Sequence, residues 1–351
     1  MDAIKKAGKA ALKFARSYLY DAAHKREAMS AVSVIEKYND QRLSPKLKKI
    51  AYDYSLNVFG SKRYAPWLYV YALMRGHFSE GWIPDNFFGK IVIPRVNKEL
   101  VAVTGFKSFS NIVLRTDALP DIAYYVDGVF YNRQMSVIDV HQLRELAAHE
   151  EGPVFVKKDH SGRGVGVLKF TSQELTVDNC KRIGNCVIQG PIKQHRFFDE
   201  IIAGSVATIR ITTVKEADGS IGLRAAYLRL GRKDTPWVQS DNSVRVAIID
   251  SNGELDTFGY TQDWRRWLYH PDSNTSFANK RIPKFNDAVR LCIELHRKVP
   301  HFTILGWDVA VRESEEIAVM EWNSNHCDIK FSEATTGPCF LGLNWEKLRE
   351  N

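Results

Sequence analysis

Between residues 304 and 323 the chain spells two strictly alternating runs joined by a polar turn. That pattern admits little other than an antiparallel β-hairpin with one packed face. In Ile304–Val311, residues Leu305, Trp307, Val309 and Val311 fall on one face, and Gly306, Asp308 and Ala310 on the other. In Ile317–Asn323, Glu321 and Asn323 share a face and Met320 and Trp322 lie opposite. A four-residue loop over Glu313–Glu316 sets Asp308 directly across from Glu321, with Cβ atoms about 5 Å apart. Opposed carboxylates repel unless a cation sits between them. An oxygen-only set of Asp308, Glu321 and the Asn323 amide carbonyl suits Mg²⁺. A solvated hairpin face would carry the same residue types, but the large apolar side chains opposite mark this hairpin as packed. Gly306 and Ala310 leave room beside the carboxylates for a bulky ligand.

Two other segments carry chemistry. Val206–Val214 alternates with Ala207, Ile209 and Ile211 on one face and Thr208, Arg210 and Thr212 on the other. An arginine enclosed mid-strand needs an anionic partner, and a transferring phosphoryl group is one. Residues 153–170 read as strand, glycine-rich loop, strand, with Lys157 at the end of the first strand and Gly162, Gly164 and Gly166 in the loop. Glycines let backbone N–H groups approach and cradle phosphates. The spacing is neither a dinucleotide fingerprint nor a Walker A loop, because a strand follows and no GK[ST] is present. A flap over a triphosphate fits better, and a plain hairpin turn is the alternative. Arg229 at a strand end and Asp241-Asn242 ahead of another strand are weaker signals. Cys186–Ile192 reads as a strand running into a connector whose backbone groups can meet an adenine edge.

The remaining pattern gives the fold class. Short β runs are expected at Lys90–Ile93, Pro153–Lys157, Gly166–Phe170, Cys186–Gln189, Val206–Val214, Leu223–Leu230 and Val244–Asp250, besides the hairpin. Helices are expected over the first fifty residues, within the aromatic-rich stretch 64–90, and near Val137–His149, Phe285–Lys298 and Asn344–Glu350. Interspersed helices and hairpins indicate α+β rather than a doubly wound parallel sheet. No run reaches the roughly 18 apolar residues of a membrane span, and no signal peptide is read at the N-terminus. Five cysteines without a CxxC pair fit a reducing cytoplasm better than a disulfide framework. The net charge of +8 is already reached within residues 1–63, so the rest of the chain is balanced. Ile4, Ala7, Ala11, Leu12, Ala15 and Leu19 recur at helical spacing, with Lys5, Lys6, Lys9, Lys13 and Arg16 largely off that stripe. This basic amphipathic helix is a solvated surface, or it touches a membrane face or a partner. Nucleic acid is disfavoured, since the body carries no basic groove interleaved with aromatics.

The order strand–lysine–glycine loop, connector, arginine strand, D…E-x-N hairpin resembles the ATP-grasp superfamily over about residues 95–340. Thr208–Ile211 and Gly306–Asp308 are similar to the sugar-transfer-associated, teichuronopeptide-biosynthesis-like branch. The resemblance implies an α+β ATP-grasp fold, two subdomains clasping ATP, behind a helical basic region. Its divisions fall at 1–94, 95–190 and 191–351. It implies that Lys157 and Lys107 contact ATP phosphates, with Lys98 competing with Lys107, and that Ser161, Gly162, Arg163, Gly164 and Gly166 form the mobile phosphate loop. Gln189 stands where many members have a Glu near the adenine amine. Ile192 is a backbone hinge contact, and Gln194 or His195 lies near the ribose. Arg210 faces the γ-phosphate and the acyl phosphate, and Asp308, Glu321 and Asn323 hold magnesium. The implied activity is an ADP-forming carboxylate–amine ligase. Its expected substrates are an amino acid and a cell-surface sugar or lipid-linked glycan precursor. A small-metabolite or peptide ligase, or a non-catalytic basic binding protein, are the alternatives.

Overall fold

In the computed structural model, residues 2–162, 164–233, 235–239 and 241–348 are described, with backbone alone for 2–7, 9–11, 13 and 14. The chain divides into two compact units. One holds residues 1–95, 263–266 and 328–351, and the other holds 96–262 and 267–327.

The first unit is helical. Helix α1 spans Asp2–Tyr38, α2 Pro45–Phe59 and α3 Ala65–Arg75. Ser44 caps α2 by accepting from Leu47 N, and Gly60 ends it in the left-handed conformation. Nine consecutive residues of α3, Ala65–Leu73, are buried, so this helix is apolar all round and forms the centre of the unit. Trp67, Tyr71, Trp82, Phe87 and Phe88 pack there, together with Phe331, Phe340 and Trp345 from the chain's end. The sequence reading grouped residues 328–351 with the second half of the chain; they pack in this helical unit.

Two expectations fail here. Lys90–Ile93 is not a strand but continues a helical turn, Phe88–Val92, into Ile93–Val96. Short apolar runs fit a buried helix as well as a strand. The expected C-terminal helix reduces to a single 3₁₀ turn, Trp345–Lys347, and Arg349 and Glu350 lie outside the described residues.

The second unit contains two antiparallel sheets. The smaller is built from β1 (Asp121–Val126), β2 (Val129–Asn132), β3 (Val137–Ile138), β4 (Val154–Lys158), β5 (Val167–Phe170) and β6 (Cys186–Gln189). Its order is β3-β2-β1-β6-β4-β5. The larger comprises β7 (Thr208–Lys215), β8 (Ile221–Leu230), β9 (Val244–Ile248), β10 (Leu255–Thr261), β11 (Arg266–Trp267), β12 (Ile304–Val311) and β13 (Ile317–Asn323). Its order is β11-β10-β9-β8-β7-β12-β13. The helix Phe285–Lys298 covers one face of the larger sheet. Phe285, Ala288, Cys292 and Leu295 pack against Ile209, Ile211, Leu228, Val246, Trp307 and Val309. The opposite face carries the polar members of the same alternating strands. The fold class is therefore α+β with a helical N-terminal region. Strands β1–β3 were missed by the sequence reading, because Tyr124, Tyr125 and Tyr131 break a clean apolar–polar alternation.

Candidate functional site

The hairpin β12–β13 sets Asp308 opposite Glu321 and Gly306 opposite Asn323 as expected, but Val311 pairs with Ile317, one residue short of the pairing a four-residue loop over Glu313–Glu316 would give. A register shift between Asp308 and Val309 separates this polar end from the regular pairing beyond. On the other side of β12, Asp308 faces Arg210 of β7. The guanidinium grips the carboxylate in a fork, Nε to Oδ1 at 2.7 Å and Nη2 to Oδ2 at 3.0 Å. Both residues are buried, at 6% and 8% exposure, so neither charge is tolerable without the other. Gly306 matters for this fork, since a Cβ there would lie 3.0 Å from Arg210 Nη1. Arg229 of β8 stands 3.7 Å from Asp308.

Glu321 is paired by a different cation. Lys107 Nζ donates to Glu321 Oε1 at 2.9 Å and to the Ser161 carbonyl at 2.8 Å. One ammonium therefore ties the hairpin to the glycine loop. Lys98, its competitor in the sequence, is exposed at the start of a 3₁₀ stretch. Lys157 reaches the same place from β4 and donates to the Met320 carbonyl at 3.3 Å. Desolvation of its half-buried ammonium lowers its pKa; Glu321 pulls it back up, and Lys107 pushes it further down.

Gly164 and Gly166 adopt positive φ, +78° and +83°. A Cβ at Gly166 would come within 2.7 Å of Ser161 Cβ. The loop therefore needs glycine for backbone reasons as well as for access. Its base is pinned by a residue the sequence reading passed over. Asp159 accepts from Ser108 N at 2.9 Å and Ser108 Oγ at 2.6 Å, holding the turn that presents Lys107. Arg163 lies outside the described residues.

Gln189 is 4% exposed and donates from Nε2 to Asp121 Oδ1 at 2.7 Å. Tyr124 Oη donates to the other oxygen at 2.9 Å. Burial raises the Asp121 carboxyl above its ordinary value, and the two donors oppose that rise. With Nε2 engaged, the Gln189 carbonyl oxygen is left as an acceptor. A cleft lies here, lined by Lys107, Lys157, Gln189, Leu119, Met320 and Glu321. Ile192 and His195 are not among its lining residues. His195 Nδ1 accepts from Phe197 N at 3.1 Å and caps a short helical turn. Gln194 is bound up likewise, accepting from Ala207 N and donating to Asp199.

The structure thus brings Lys107, Lys157, Ser161, Gln189, Arg210, Asp308 and Glu321 into one region, with Asn323 two residues beyond Glu321. Asp121, Asp159 and Ser108 were missed, since single polar residues at strand starts and turns carry no pattern by themselves. Asp308 and Glu321 face each other on the hairpin, and each is paired with a cation, Arg210 and Lys107. Among the described residues no cluster of three or more His, Cys, Asp or Glu is placed to hold a metal ion, so a cation here would draw on the Asn323 amide as well as the two carboxylates.

A model of the sugar-transfer associated ATP-grasp family matches residues 134–343. No curated protein matches the chain. Solved structures similar to it include the biotin carboxylase domain of the Hydrogenobacter thermophilus 2-oxoglutarate carboxylase, complexed with MgADP, ADP and bicarbonate. The identity is 13%, the TM-score 0.43, and the match covers 71% of this chain and 46% of that one. Biotin carboxylase from Campylobacter jejuni matches at 10% identity and TM-score 0.44, over 72% and 46%. The ATP-grasp ligase PsnB, complexed with a minimal precursor, matches at 12% identity and TM-score 0.41, over 72% and 62%. The chain thus spans less than half the length of the two carboxylases. The family match encloses the glycine loop, the arginine strand and the carboxylate hairpin and exceeds half of the chain: the protein belongs to the sugar-transfer associated ATP-grasp family.

Proposed function

We propose that the protein is an ADP-forming carboxylate–amine ligase that works through an acyl phosphate. The observation that carries this reading is the pairing Glu321–Asp308–Arg210 across three adjacent strands, with Lys107 and Lys157 over it. Cations and carboxylates alternate there as a bound nucleotide triphosphate would require.

Lys107, Lys157 and the amides of the Ser161–Gly166 loop hold the phosphates, while Gln189 meets the adenine edge. Asp308, Glu321 and Asn323 would hold magnesium, which when bound neutralises charge between the phosphates. A substrate carboxylate oxygen attacks the γ-phosphorus and the bond to the β-phosphate oxygen breaks, releasing ADP. Arg210 stabilises the equatorial oxygens during transfer and then the acyl phosphate. An amine adds to the acyl carbon, inorganic phosphate leaves, and the amine proton passes to solvent. The loop excludes water, which would hydrolyse the acyl phosphate. No nucleophilic side chain is needed.

The family description supports a sugar-linked substrate. We take the pair to be an amino acid and a sugar or lipid-linked glycan precursor, with a small-metabolite or peptide substrate as the second reading. Basic helix α1 suits peripheral contact with an anionic membrane face, and no helix among the described residues is long and apolar enough to cross one. The test is a screen of amino acids against uronic-acid sugars for ADP release, run beside thermal stabilisation by ATP with magnesium. Stabilisation with ADP release on pairing an acid and an amine is expected. Absence of both would leave a non-catalytic binding protein instead.

A further inference from the structure

The connection from β8 to β9, residues 231–243, reaches across to the glycine loop. Its root is held by charge and by a buried ring. Arg232 grips Asp272 in a fork, Nε to Oδ2 at 2.6 Å and Nη2 to Oδ1 at 2.9 Å. The Lys233 amide donates to the same carboxylate at 2.8 Å. His270, fully buried, donates from Nε2 to the Gly231 carbonyl at 2.9 Å. At the far end, Asn242 N donates to the Gln239 carbonyl at 3.1 Å and closes a turn. Fixed at both ends, the connection presents its middle in a defined place.

That middle carries Trp237. Its Nε1 is buried and has no hydrogen-bond partner among the described residues. An indole nitrogen can only donate, so the desolvation penalty it carries is removed only by an acceptor. The same nitrogen lies against the phosphate loop. A Cβ at Gly164 would stand 3.2 Å from Trp237 Nε1 and 3.3 Å from Gln239 Cγ. With Gly164 at φ +78°, backbone and neighbour together demand glycine there. The N–H edge of the indole is thus set beside the amides of a phosphate cradle, as one more donor for an anion.

The strand that feeds the connection points to which phosphate. On β8, Tyr227 pairs directly with Arg210 of β7. The connection therefore runs from the strand beside the transfer arginine to the glycine loop, and the phosphate shared by those two places is the one being transferred. We propose that Trp237 is a phosphate-contacting residue of the ligase, whose indole N–H donates to an oxygen of the γ-phosphoryl group and then of the acyl phosphate. This rests on the reading of the glycine loop and Arg210 as the ATP site. Being neutral, the donor adds orientation to a region that already holds Lys107, Lys157 and Arg210 without adding charge. Its ring also covers the acyl phosphate against water. The contact distinguishes ATP from ADP, since ADP has no oxygen at that position.

The test uses the full chain with magnesium, isotope-labelled in its indole nitrogens and with the Trp237 resonance assigned sequentially. The β,γ-imido analogue of ATP is expected to move the Trp237 indole proton downfield, as a new hydrogen bond does, and ADP to leave it nearly in place. Calorimetry supplies the second readout. Trp237→Phe keeps the ring and removes the donor, so it should weaken the imido analogue about tenfold or more while holding ADP within about twofold. A variant that merely loosened the loop would weaken both nucleotides alike. An indole proton that stays in place in analogue-saturated protein, or that moves equally with ADP, would overturn the proposal. So would a variant that weakens both nucleotides equally, or neither. The resonance measurement needs no variant and keeps the test decisive if Trp237→Phe folds poorly. Wild-type protein that binds neither nucleotide would instead overturn the ATP-site reading beneath it.

Discussion

At the scale of single residues, the site is a set of charges that satisfy one another. Glu321→Gln removes the partner of Lys107 and half of the opposed carboxylate pair. We expect turnover to fall by about 100-fold or more with the fold retained, since Glu321 is partly exposed; ADP release and the melting temperature check this. Asp308→Asn should abolish turnover as well. It should also destabilise by on the order of 1–3 kcal/mol, because the Arg210 fork loses its charged acceptor. The two ATP lysines separate from their rival in the same assay. Lys107→Met and Lys157→Met should each raise the apparent ATP requirement about tenfold or more, whereas exposed Lys98→Met should leave it unchanged. Asp121 acts through another residue. It holds Nε2 of Gln189 and so turns that amide's carbonyl outward as an acceptor, which suits an adenine amino group and not a guanine carbonyl. Asp121→Asn, free to pair with either end of the amide, should narrow the ATP-over-GTP preference in kcat/KM about tenfold with little change in kcat.

Among the elements, the short helix Lys330–Thr335 of the helical unit carries a buried carboxyl whose titration the fold displaces. Its Glu333 is fully buried and accepts from Ile83 N at 3.0 Å and Cys339 N at 2.8 Å. Burial pushes its carboxyl up from 4.5 to about 7, against the pull of those two donors. The sign follows from linkage. A carboxyl raised on folding binds its proton more tightly in the folded state. Its contribution is complete below the unfolded value and is lost as pH rises through about 7. Each unit of displacement is about 1.4 kcal/mol. The melting temperature of wild-type protein should therefore carry a component that declines between about pH 4.5 and 7. Glu333→Gln, which removes the titrating group and keeps an acceptor for one of the two amides, should flatten that decline. An unchanged slope in the variant would place the pH dependence elsewhere.

For the molecule as a whole, the excess of positive charge resides in residues 1–63. Helix α1 anchors through its later turns. Asp21 meets Arg63 and Lys90, His24 Nδ1 accepts from Trp67 Nε1, and Ala28, Val32 and Ile35 are buried. Leu12, Tyr18 and Leu19 are exposed beside Arg16. Removing residues 1–16 should therefore spare folding and soluble-substrate turnover but abolish co-sedimentation with anionic vesicles at low salt. Lipid attraction is about 1 kcal/mol per basic residue, so binding should be reversible and salt-sensitive. Vesicle binding that survives the truncation would remove the helix from that role. Strict alternation made the hairpin and the shared face of Asp308 and Glu321 legible from sequence alone, because a period of two assigns each side chain to a face; the register shift that brings the two carboxylates opposite each other was decided by the folded hairpin. Glycines beside a strand-end lysine announced the loop for a similarly local reason. What alternation cannot encode is contact between segments far apart in the chain. The choice of Lys107 over Lys98, the capture of Gln189 by Asp121, the anchoring of the loop by Asp159, and the placing of Trp237 against Gly164 were decided by tertiary structure. Each depends on where separate strands and turns meet.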